Sequence, residues 1–343
     1  MRSLLYLPLI WAFLIPSGWG FVAPEVDSAS PFSGHYQATD YQESYRPQFH
    51  FSPRNGWMND INALWYVDGI YHMTYQWGTN KRDGGYTSST DLLHWNDHGL
   101  ALIGRSSHAR EAGAKQNASG DQIYSGSGIV VSGPVAAKIT GSSKPVLITF
   151  YTGTKVGTCI AWSNDHGQTW HNYEKNPVAH PTTGDTPRDP CVIWHEATKK
   201  WVLAIYEKGT TFYGSKDLIT WKRLSNLRFG FECPDLVELP LDGDPEKMKW
   251  VLYDAAGKYL VGHFDGTYFF DENKSKEDLY MDVGPDFYAG QTFFPQTLPG
   301  MEQVVVEQDN KVVVRMMDLG LIMDILVVMV FRFILLDHPQ ILE

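Results

Sequence analysis

Three acidic residues have types and surroundings suited to catalysis. Asp60 lies in the stretch "WMNDINAL", Asp189 in "TPRDPCVIW" and Glu232 in "FECPDLVEL". Each precedes a strand-like run, has apolar or aromatic neighbours and lies close to a Pro or an Asn that restricts the local turn. A carboxylate in such a place can act as a nucleophile or as a general acid or base. A structural turn residue is the alternative, because Asx side chains bond their own backbone.

The chain around these acids reads as a series of short β-strands. Apolar or aromatic residues recur at every second position in five runs, each bounded by Gly, Asp or Asn. The runs are "LWYVDGIYHMTYQW", "KPVLITFYTG", "TCIAWSND", "KKWVLAIYE" and "KWVLYDAAGKYLVGHFDG". No amphipathic helix of a dozen residues is evident, so the sequence predicts an all-β fold.

A short motif recurs along these strands. The segments "SSTDLLHW" (88–95), "WSNDHGQTW" (162–170) and "GSKDLITW" (214–221) share a Ser, an Asp two positions later and then a Trp. Their spacing is typical of β-propeller blades of four strands, in which Ser and Asp close an outer hairpin and Trp seals adjacent blades. The longer first interval contains the polar segment 104–122, which we interpret as a surface loop. A β-sandwich with recurring turns is the alternative.

Composition and charge exclude several classes of protein. The 343 residues carry a formal charge of −11, which argues against a nucleic-acid partner because phosphates require clustered Lys and Arg. Three widely spaced cysteines predict neither a disulfide framework nor a zinc site. His94 and His98 have a spacing that metal-binding histidines often show, but no further candidate metal ligand is near them in the sequence. We therefore interpret them as surface residues.

The two ends of the chain differ from the body. Residues 1–20 combine a positive charge, a short apolar core and small residues, which predicts a signal peptide followed by an N-terminal extension at 21–45. A secreted protein with glycan acceptors at Asn117 and Asn273 is therefore expected. Residues 296–343 are apolar yet interrupted by charges, which indicates an atypical, out-of-frame or mis-spliced tail rather than a membrane span.

Five segments in order resemble glycoside hydrolase family 32, the secreted β-fructosidases that include invertases, inulinases and levanases. They are "RPQFHFSPRNGWMNDINAL" (46–64), "YSGSG" (124–128), "RDP" (188–190), "ECPDLVELP" (232–240) and "FYAGQTF" (287–293). The resemblance implies a five-bladed β-propeller over residues 46–295. It also implies that the fifth blade is incomplete here and that the family's C-terminal β-sandwich is missing.

The resemblance assigns roles to the acids. A retaining glycosidase needs two carboxyl groups about 5–5.5 Å apart. By carry-over, Asp60 is the nucleophile and Glu232 is the acid/base. Asp189 would bond the fructose hydroxyls and stabilise the transition state, kept ionised by Arg188. The implied substrate-binding residues are Asn59, Gln76, Trp57, Tyr124, Ser125 and Arg188. No metal or cofactor is implied, and Cys233 is interpreted as a packed neighbour rather than a nucleophile.

Two departures from the family pattern affect this site. The Pro and Gly of the opening motif are Ile61 and Ala63 here, so the loop around Asp60 is expected to run differently. The family's Trp-Gly-His segment is represented by residues 84–86, "GGY", which removes an indole expected to wall the substrate. Tyr86 or Trp77 is expected to take its place.

Three functions remain open from the sequence. The leading hypothesis is a retaining hydrolase that cleaves terminal β-D-fructofuranosyl residues from sucrose or from fructans such as inulin and levan. The second is a catalytically impaired sugar-binding protein of the same fold. An arabinan-type five-bladed hydrolase ranks lower, because its motifs do not match "ECPDLVEL". Release of fructose discriminates the first two. The sequence does not determine the oligomeric state.

Overall fold

The computed structural model describes residues 47, 50–54, 56–78, 81–111, 113–179, 187–241, 244–272, 277–282, 287–293, 314–317 and 328–331. All of them belong to one unit of the chain, Pro31–Glu343. The predicted signal peptide (1–20), the N-terminal extension (21–45), Asn273 and most of the predicted tail (296–343) lie outside the described residues.

The first sheet is an antiparallel meander of four strands. They are β1 (Met58–Val67), β2 (Ile70–Trp77), β3 (Asp83–Ser89) and β4 (Trp95–Leu102), paired in sequence order. Asp68 and Gly69 join β1 to β2 with φ of 51° and 79°. Two consecutive left-handed residues give the turn that matches the twist of paired strands, and Asp-Gly is suited to it.

Three further sheets repeat this pattern. After helix α1 (His108–Glu111), the second contains β5 (Ile123–Val131), β6 (Val146–Gly153), β7 (Gly157–Ser163) and β8 (His171–Asn172), with helix α2 (Gly133–Thr140) between β5 and β6. The third contains β9 (Arg188–His195), β10 (Lys200–Tyr206), β11 (Thr210–Ser215) and β12 (Lys222–Leu227), with a 3₁₀ turn at Glu196–Thr198. The fourth contains β13 (Asp235–Leu241), β14 (Asp244–Tyr253), β15 (Lys258–Phe264) and β16 (Phe269–Asp271), and β17 (Leu279–Tyr280) also pairs with β15.

The first strands of these sheets meet one another in chain order. Strand β1 contacts β5, β5 contacts β9 and β9 contacts β13. This is the arrangement of propeller blades around a common centre, so the predicted propeller is confirmed for four blades and the β-sandwich alternative is wrong. Apolar clusters between adjacent sheets provide the core, for example the cluster that joins Ile148 of β6 to Leu203 of β10.

A fifth, three-stranded sheet contains β18 (Gln291–Thr292), β19 (Val314–Met317) and β20 (Val328–Phe331). Strand β18 contacts both β1 and β13. The Gln291 side chain donates hydrogen bonds to the carbonyl oxygens of Ile61 (2.8 Å) and Gly126 (2.6 Å). The Thr292 backbone N–H donates to Asp235 Oδ2 at 2.8 Å. Residues 291–292 therefore connect the first, second and fourth sheets.

The repeated Ser and Asp close the outer hairpins as predicted. In the first blade, Ser89 Oγ accepts the Leu92 N–H at 2.8 Å and Asp91 Oδ1 accepts the His94 N–H at 2.7 Å. Leu92 has a φ of 65°, and His94 and His98 are exposed, as expected. The same bonds to Ser and Asp recur in the second and third blades, at Ser163, Asp165, Ser215 and Asp217.

Two of the three repeated tryptophans pack between described blades, as predicted, whereas Trp95 packs beside its own blade. Trp170 of the second blade packs against Trp65 of the first, with ring centroids 5.7 Å apart. Trp221 of the third blade meets Phe150 of the second edge-on at 6.1 Å. Trp95 contacts Phe51, which precedes β1, at 5.8 Å. Aromatic pairs of this kind contribute both buried area and a preferred geometry.

The polar segment 104–122 is anchored more firmly than a surface loop. Ser107 Oγ donates to Asp83 Oδ2 at 2.5 Å, and Ala118 is 3% exposed. The Asn117 side chain accepts the Ile103 N–H at 2.7 Å and donates to the Ala101 carbonyl at 2.8 Å. Both polar atoms of the Asn117 side chain therefore bond to the backbone of residues 101 and 103. Among the described residues, no helix has the length and apolar character needed to cross a membrane.

Candidate active site

Asp60 lies near the start of β1, where the strand is irregular. The pairing of β1 with β2 shifts between Met58 and Ile61 and again between Ile61 and Ala63. Asp60 Oδ2 accepts hydrogen bonds from Ser125 Oγ at 2.5 Å and from Gln76 Nε2 at 3.2 Å. A bulge that re-aims one side chain is typical of strands beside functional sites. The carboxylate is thus oriented by side chains of β2 and β5.

The amide residues predicted around Asp60 form one network with it. Asn59 Nδ2 donates to Asp60 Oδ1 at 3.2 Å and lies 3.3 Å from Gln76 Oε1. Gln76 is 1% exposed, and its Nε2 also donates to Ser125 Oγ at 2.6 Å. The structure places Gln76 beneath Asp60, in contact with both predicted polar partners.

Burial raises the pKa of Asp60, and the negative charge of Glu232 adds to the rise. The Ser125 hydrogen bond and the positive charge of Arg82 act in the opposite direction. Desolvation penalises the charged form of a carboxyl group, whereas hydrogen bonds to that form favour it. The protein therefore places a negative charge where ionisation is costly and supports it with a few directed donors.

Asp189 lies at the second residue of β9 in a left-handed conformation, with a φ of 64°. Its backbone N–H donates to Thr152 Oγ1 at 2.8 Å, and its Oδ2 accepts the Cys233 N–H at 3.2 Å. Burial raises the pKa of Asp189 to about 7. The charge of Asp60 adds to this rise, and the Cys233 N–H opposes it. Non-glycine residues with positive φ cluster at functional sites, where other contacts hold the strained backbone.

The prediction that Arg188 keeps Asp189 ionised needs correction. The Arg188 guanidinium donates to Glu232 Oε1 from Nε at 2.9 Å and from a terminal nitrogen at 2.6 Å. Its Nε lies 3.6 Å from Asp189 Oδ2. Arg188 does lower the pKa of Asp189, but burial outweighs its effect. The main partner of Arg188 is therefore Glu232.

Glu232 lies in the connection before β13 and is also left-handed, with a φ of 54°. Its side chain is 25% exposed, so solvent reaches it more readily than Asp189, whose side chain is 6% exposed. Arg188 occupies Oε1, and the Tyr288 hydroxyl donates to Oε2. A solvent-accessible carboxyl group between two donors is a suitable group for proton exchange.

Cys233 connects the three acids and is not a nucleophile. It follows Glu232, donates its backbone N–H to Asp189, and has its Sγ 3.9 Å from Asp60 Oδ2. The residue is 5% exposed, and burial raises the pKa of its thiol well above the usual value. A neutral, buried thiol is unreactive. The predicted role of a packed neighbour is confirmed.

The aromatic residues predicted near the site differ in their surroundings. Trp57 and Tyr124 are half-buried, and the Arg82 guanidinium lies 4.9 Å from the centroid of the Tyr124 ring. The prediction that Tyr86 or Trp77 replaces the missing indole is wrong. Tyr86 is 2% exposed and donates its hydroxyl to the His166 carbonyl, and Trp77 is 3% exposed against Gly56. Both rings serve the core.

Ile61 and Ala63, which stand where the family motif has Pro and Gly, do not disrupt the hydrogen bonds of Asp60. Both side chains are buried, at 1% and 0% exposed, in apolar clusters on either side of β1. They therefore fill the core, while Asp60 keeps its bonds to Gln76 and Ser125. This arrangement does not favour the alternative of a catalytically impaired sugar-binding protein.

Sequence reasoning missed two residues of the site. Tyr288 lies in the segment "FYAGQTF", which carries the family resemblance. A Tyr between apolar residues in such a motif was the signal that could have marked it as a site residue. Arg82 lies next to Asp83 at the start of β3, and nothing in the sequence indicates that its charge acts on Asp60. Within the described ranges, no group of three or more His, Cys, Asp or Glu side chains is arranged to hold a metal ion.

Known proteins resemble this chain over the same region. The sequence profile of the glycosyl hydrolases family 32 N-terminal domain matches residues 50–306. A levanase of Bacillus subtilis is 39% identical over 280 residues, which cover 73% of this chain and 39% of the levanase. Invertase 1 of Saccharomyces cerevisiae is 34% identical over 285 residues, which cover 74% of this chain and 51% of the invertase.

A solved structure shows the same fold. The exo-inulinase of Aspergillus awamori superposes with a TM-score of 0.61 at 30% identity, covering 74% of this chain and 58% of the inulinase. The chain thus spans about two fifths to three fifths of the length of these proteins. A profile match over most of the chain, together with the grouped carboxylates, shows the family. This chain belongs to glycosyl hydrolase family 32.

Proposed function

We propose that this protein hydrolyses terminal β-D-fructofuranosyl residues by double displacement with retention of configuration. One observation carries the proposal. Asp60, Asp189 and Glu232, which belong to three different blades, meet through Cys233, Ser125 and their mutual electrostatic interactions. Two carboxyl groups on opposite sides of a glycosidic bond, with a third acid against the sugar, suit an oxocarbenium-like transition state.

In the first step, Asp60 attacks the anomeric C2 of the fructosyl unit. Glu232 transfers its proton to the leaving oxygen as the glycosidic bond breaks, so the leaving group departs as a neutral alcohol. Ser125 and Gln76 hold Asp60 by Oδ2, which leaves Oδ1 with Asn59 as its partner. In the second step, Glu232 removes a proton from water, which attacks C2 and releases Asp60.

Asp189 acts on the charge that develops in the transition state. The pKa of this carboxyl group is raised to about 7 by burial in the free protein. A fructosyl unit that becomes positive beside it favours the ionised form, so the interaction strengthens as the barrier is approached. Arg188 and Tyr288 orient Glu232 through its two oxygens.

The substrate class we propose is a β-fructofuranoside, either sucrose or a fructan such as inulin or levan. The relatives named levanase, invertase and exo-inulinase support this range. We further propose that the sheet β18–β20 corresponds to the fifth blade of the propeller. We also propose that the protein is secreted, which is supported by residues 1–20 and by a relative named extracellular exo-inulinase from Aspergillus niger.

The test uses the full 343-residue chain and its Glu232→Gln variant. The wild type should release fructose from sucrose, inulin or levan, and transfer to methanol should give the methyl β-fructoside if configuration is retained. Glu232→Gln should lower kcat/KM for sucrose by about 10²–10⁴-fold. It should affect much less an aryl fructoside whose leaving group needs no proton. Sugar binding without any fructose release would instead support the binding-protein alternative.

A further inference from the structure

The turn that follows β14 contains a buried carboxylate with bonds in two directions. Asp254 is 4% exposed. Its Oδ1 accepts the backbone N–H groups of Ala256 (3.1 Å) and Lys258 (3.0 Å), which closes the turn between β14 and β15. Its Oδ2 accepts the N–H of Phe231 at 3.1 Å. The first two bonds are those of an ordinary Asx turn, whereas the third reaches the residue that precedes Glu232.

The next residue of the turn contacts the same segment. The Ala255 N–H points at the carbonyl oxygens of both Phe231 and Glu232, each at 3.2 Å. The Ala255 carbonyl accepts the Ala289 N–H at 2.8 Å. Ala289 follows Tyr288, the residue whose hydroxyl donates to Glu232. One short turn therefore holds the backbone of the acid and the backbone of its tyrosine partner.

The segment that carries Glu232 needs such support. Residues 230–233 lie outside the strands, and Gly230, Glu232 and Cys233 have φ of 88°, 54° and 36°. Left-handed residues other than glycine persist only where surrounding contacts hold them. A Cβ on Gly230 would lie 3.3 Å from the Asp254 Cβ, so the two segments pack closely.

We propose that Asp254 is a positioning residue that sets the placement of the Glu232 carboxyl group through the Phe231 N–H. The inference rests on the proposed function, since it takes Glu232 to be the acid. Loss of the hydrogen bond to Asp254 Oδ2 would let the 230–233 segment shift relative to Asp60. Asp60 would stay in place, because side chains of the first and second blades hold it. A displacement of about 1 Å at a catalytic group can slow a reaction about 10²-fold.

The test compares two substrates on three variants of the full chain. Asp254→Ala should lower kcat/KM for sucrose by about 10–100-fold. For an aryl fructoside whose leaving group needs no proton, the loss should be less than about 3-fold, because acid assistance contributes little there. Asp254→Asn, which keeps the size of the side chain, should change the ratio of the two kcat/KM values in the same direction by a smaller factor.

The matched control is Asp265→Ala. Asp265 closes the outer turn of the same blade by accepting the N–H groups of Thr267 and Tyr268, each at 2.7 Å, and it is exposed. This variant should leave the ratio unchanged. A simple loss of folded protein cancels in the ratio, so Asp254→Asn decides the matter if Asp254→Ala folds poorly.

The outcomes separate this inference from the proposed function. Equal losses on both substrates, or no loss on either, would overturn the positioning role while leaving the hydrolase standing. A wild type that releases fructose from neither substrate would overturn the proposed function and this inference with it. A shifted ratio in both Asp254 variants, with an unchanged ratio in Asp265→Ala, supports it.

Discussion

Two aspartates of the first blade show how differently the same residue is used. Asp91 lies in the outer turn, where the N–H groups of Leu93 and His94 donate to its Oδ1 at 2.8 and 2.7 Å. Asp60 lies at the inner strand, where its donors are side chains that come from distant parts of the chain. Hydrogen bonds from His94 lower the pKa of Asp91, whereas burial raises the pKa of Asp60.

This contrast separates stability from function. The carboxylate in the turn is half-exposed and satisfied by adjacent backbone, so its ionised form stabilises the fold. The Asp60 carboxylate is buried beside other acids. Its ionisation therefore destabilises the fold, and other interactions in the propeller offset this loss. Removal of Asp60 and removal of Asp91 should therefore have opposite effects on the stability of the protein.

The largest expected effect is on turnover in Asp60→Ala. In the proposed mechanism no glycosyl intermediate forms without this carboxylate, so kcat should fall by about 10⁴-fold or more. Because a costly buried charge is removed, the melting temperature should stay the same or rise. Fructose release and thermal unfolding measure the two quantities. Residual turnover above about 1% of wild type would remove Asp60 from the mechanism.

Asp189→Asn should separate activity from stability as well. We expect kcat to fall by about 10²-fold or more without a matching rise in KM, because the contact matters mainly in the transition state. The pKa of Asp189 is about 7 in the folded protein and 3.8 ordinarily, so its ionisation costs stability as pH rises through this window.

The stability of Asp189→Asn should therefore depend on pH. The gain over wild type should be small near pH 4 and largest above pH 7, on the order of 1–4 kcal/mol. Urea unfolding at the two pH values measures the gain. A variant that is less stable than wild type at pH 8 would show that the Asp189 carboxylate supports the fold instead.

The smallest effect is expected for Asp91→Ala, and it should fall on stability alone. Loss of the bonds to Leu93 and His94 should destabilise the protein by about 1 kcal/mol, with kcat/KM unchanged. Because the pKa of Asp91 is lowered in the folded protein, its carboxylate stabilises the fold above the ordinary value of 3.8, and this stabilisation is lost as pH falls. The deficit in melting temperature at pH 7 should shrink at pH 3. A large loss of activity would contradict the division between turn and site.

The strands and outer turns were predictable because their causes are local. Alternation of apolar residues indicates strands, and a Ser followed by an Asp satisfies backbone groups within five positions. The eight-residue helix α2, which begins at Gly133 and ends before Gly141, was missed because it is shorter than the pattern sought. The hydrogen bonds that anchor segment 104–122 were missed because Ser107 and Asn117 bond to residues outside the segment.

The sequence predicted which residues would lie together at the candidate site, but it predicted their contacts less well. The acids, Asn59, Gln76 and Ser125 were assigned from the family resemblance, and they lie together. The partner of Arg188 was misassigned because adjacency in sequence favoured Asp189, whereas the guanidinium bonds Glu232. Tyr86 and Trp77 were misassigned because a ring's type does not reveal whether it faces the substrate or the core.

The sequence by itself determined the strand periodicity, the chemistry of the turns and the identity of the acids, since each depends on residues a few positions apart. Only the tertiary structure decided which donors each carboxylate receives and how strongly it is buried. Asp60 depends on Ser125, and Glu232 depends on Arg188 and Tyr288, across blades that meet only after folding. Desolvation and charge proximity are properties of the assembled propeller, so the pKa values of Asp60 and Asp189 are set there.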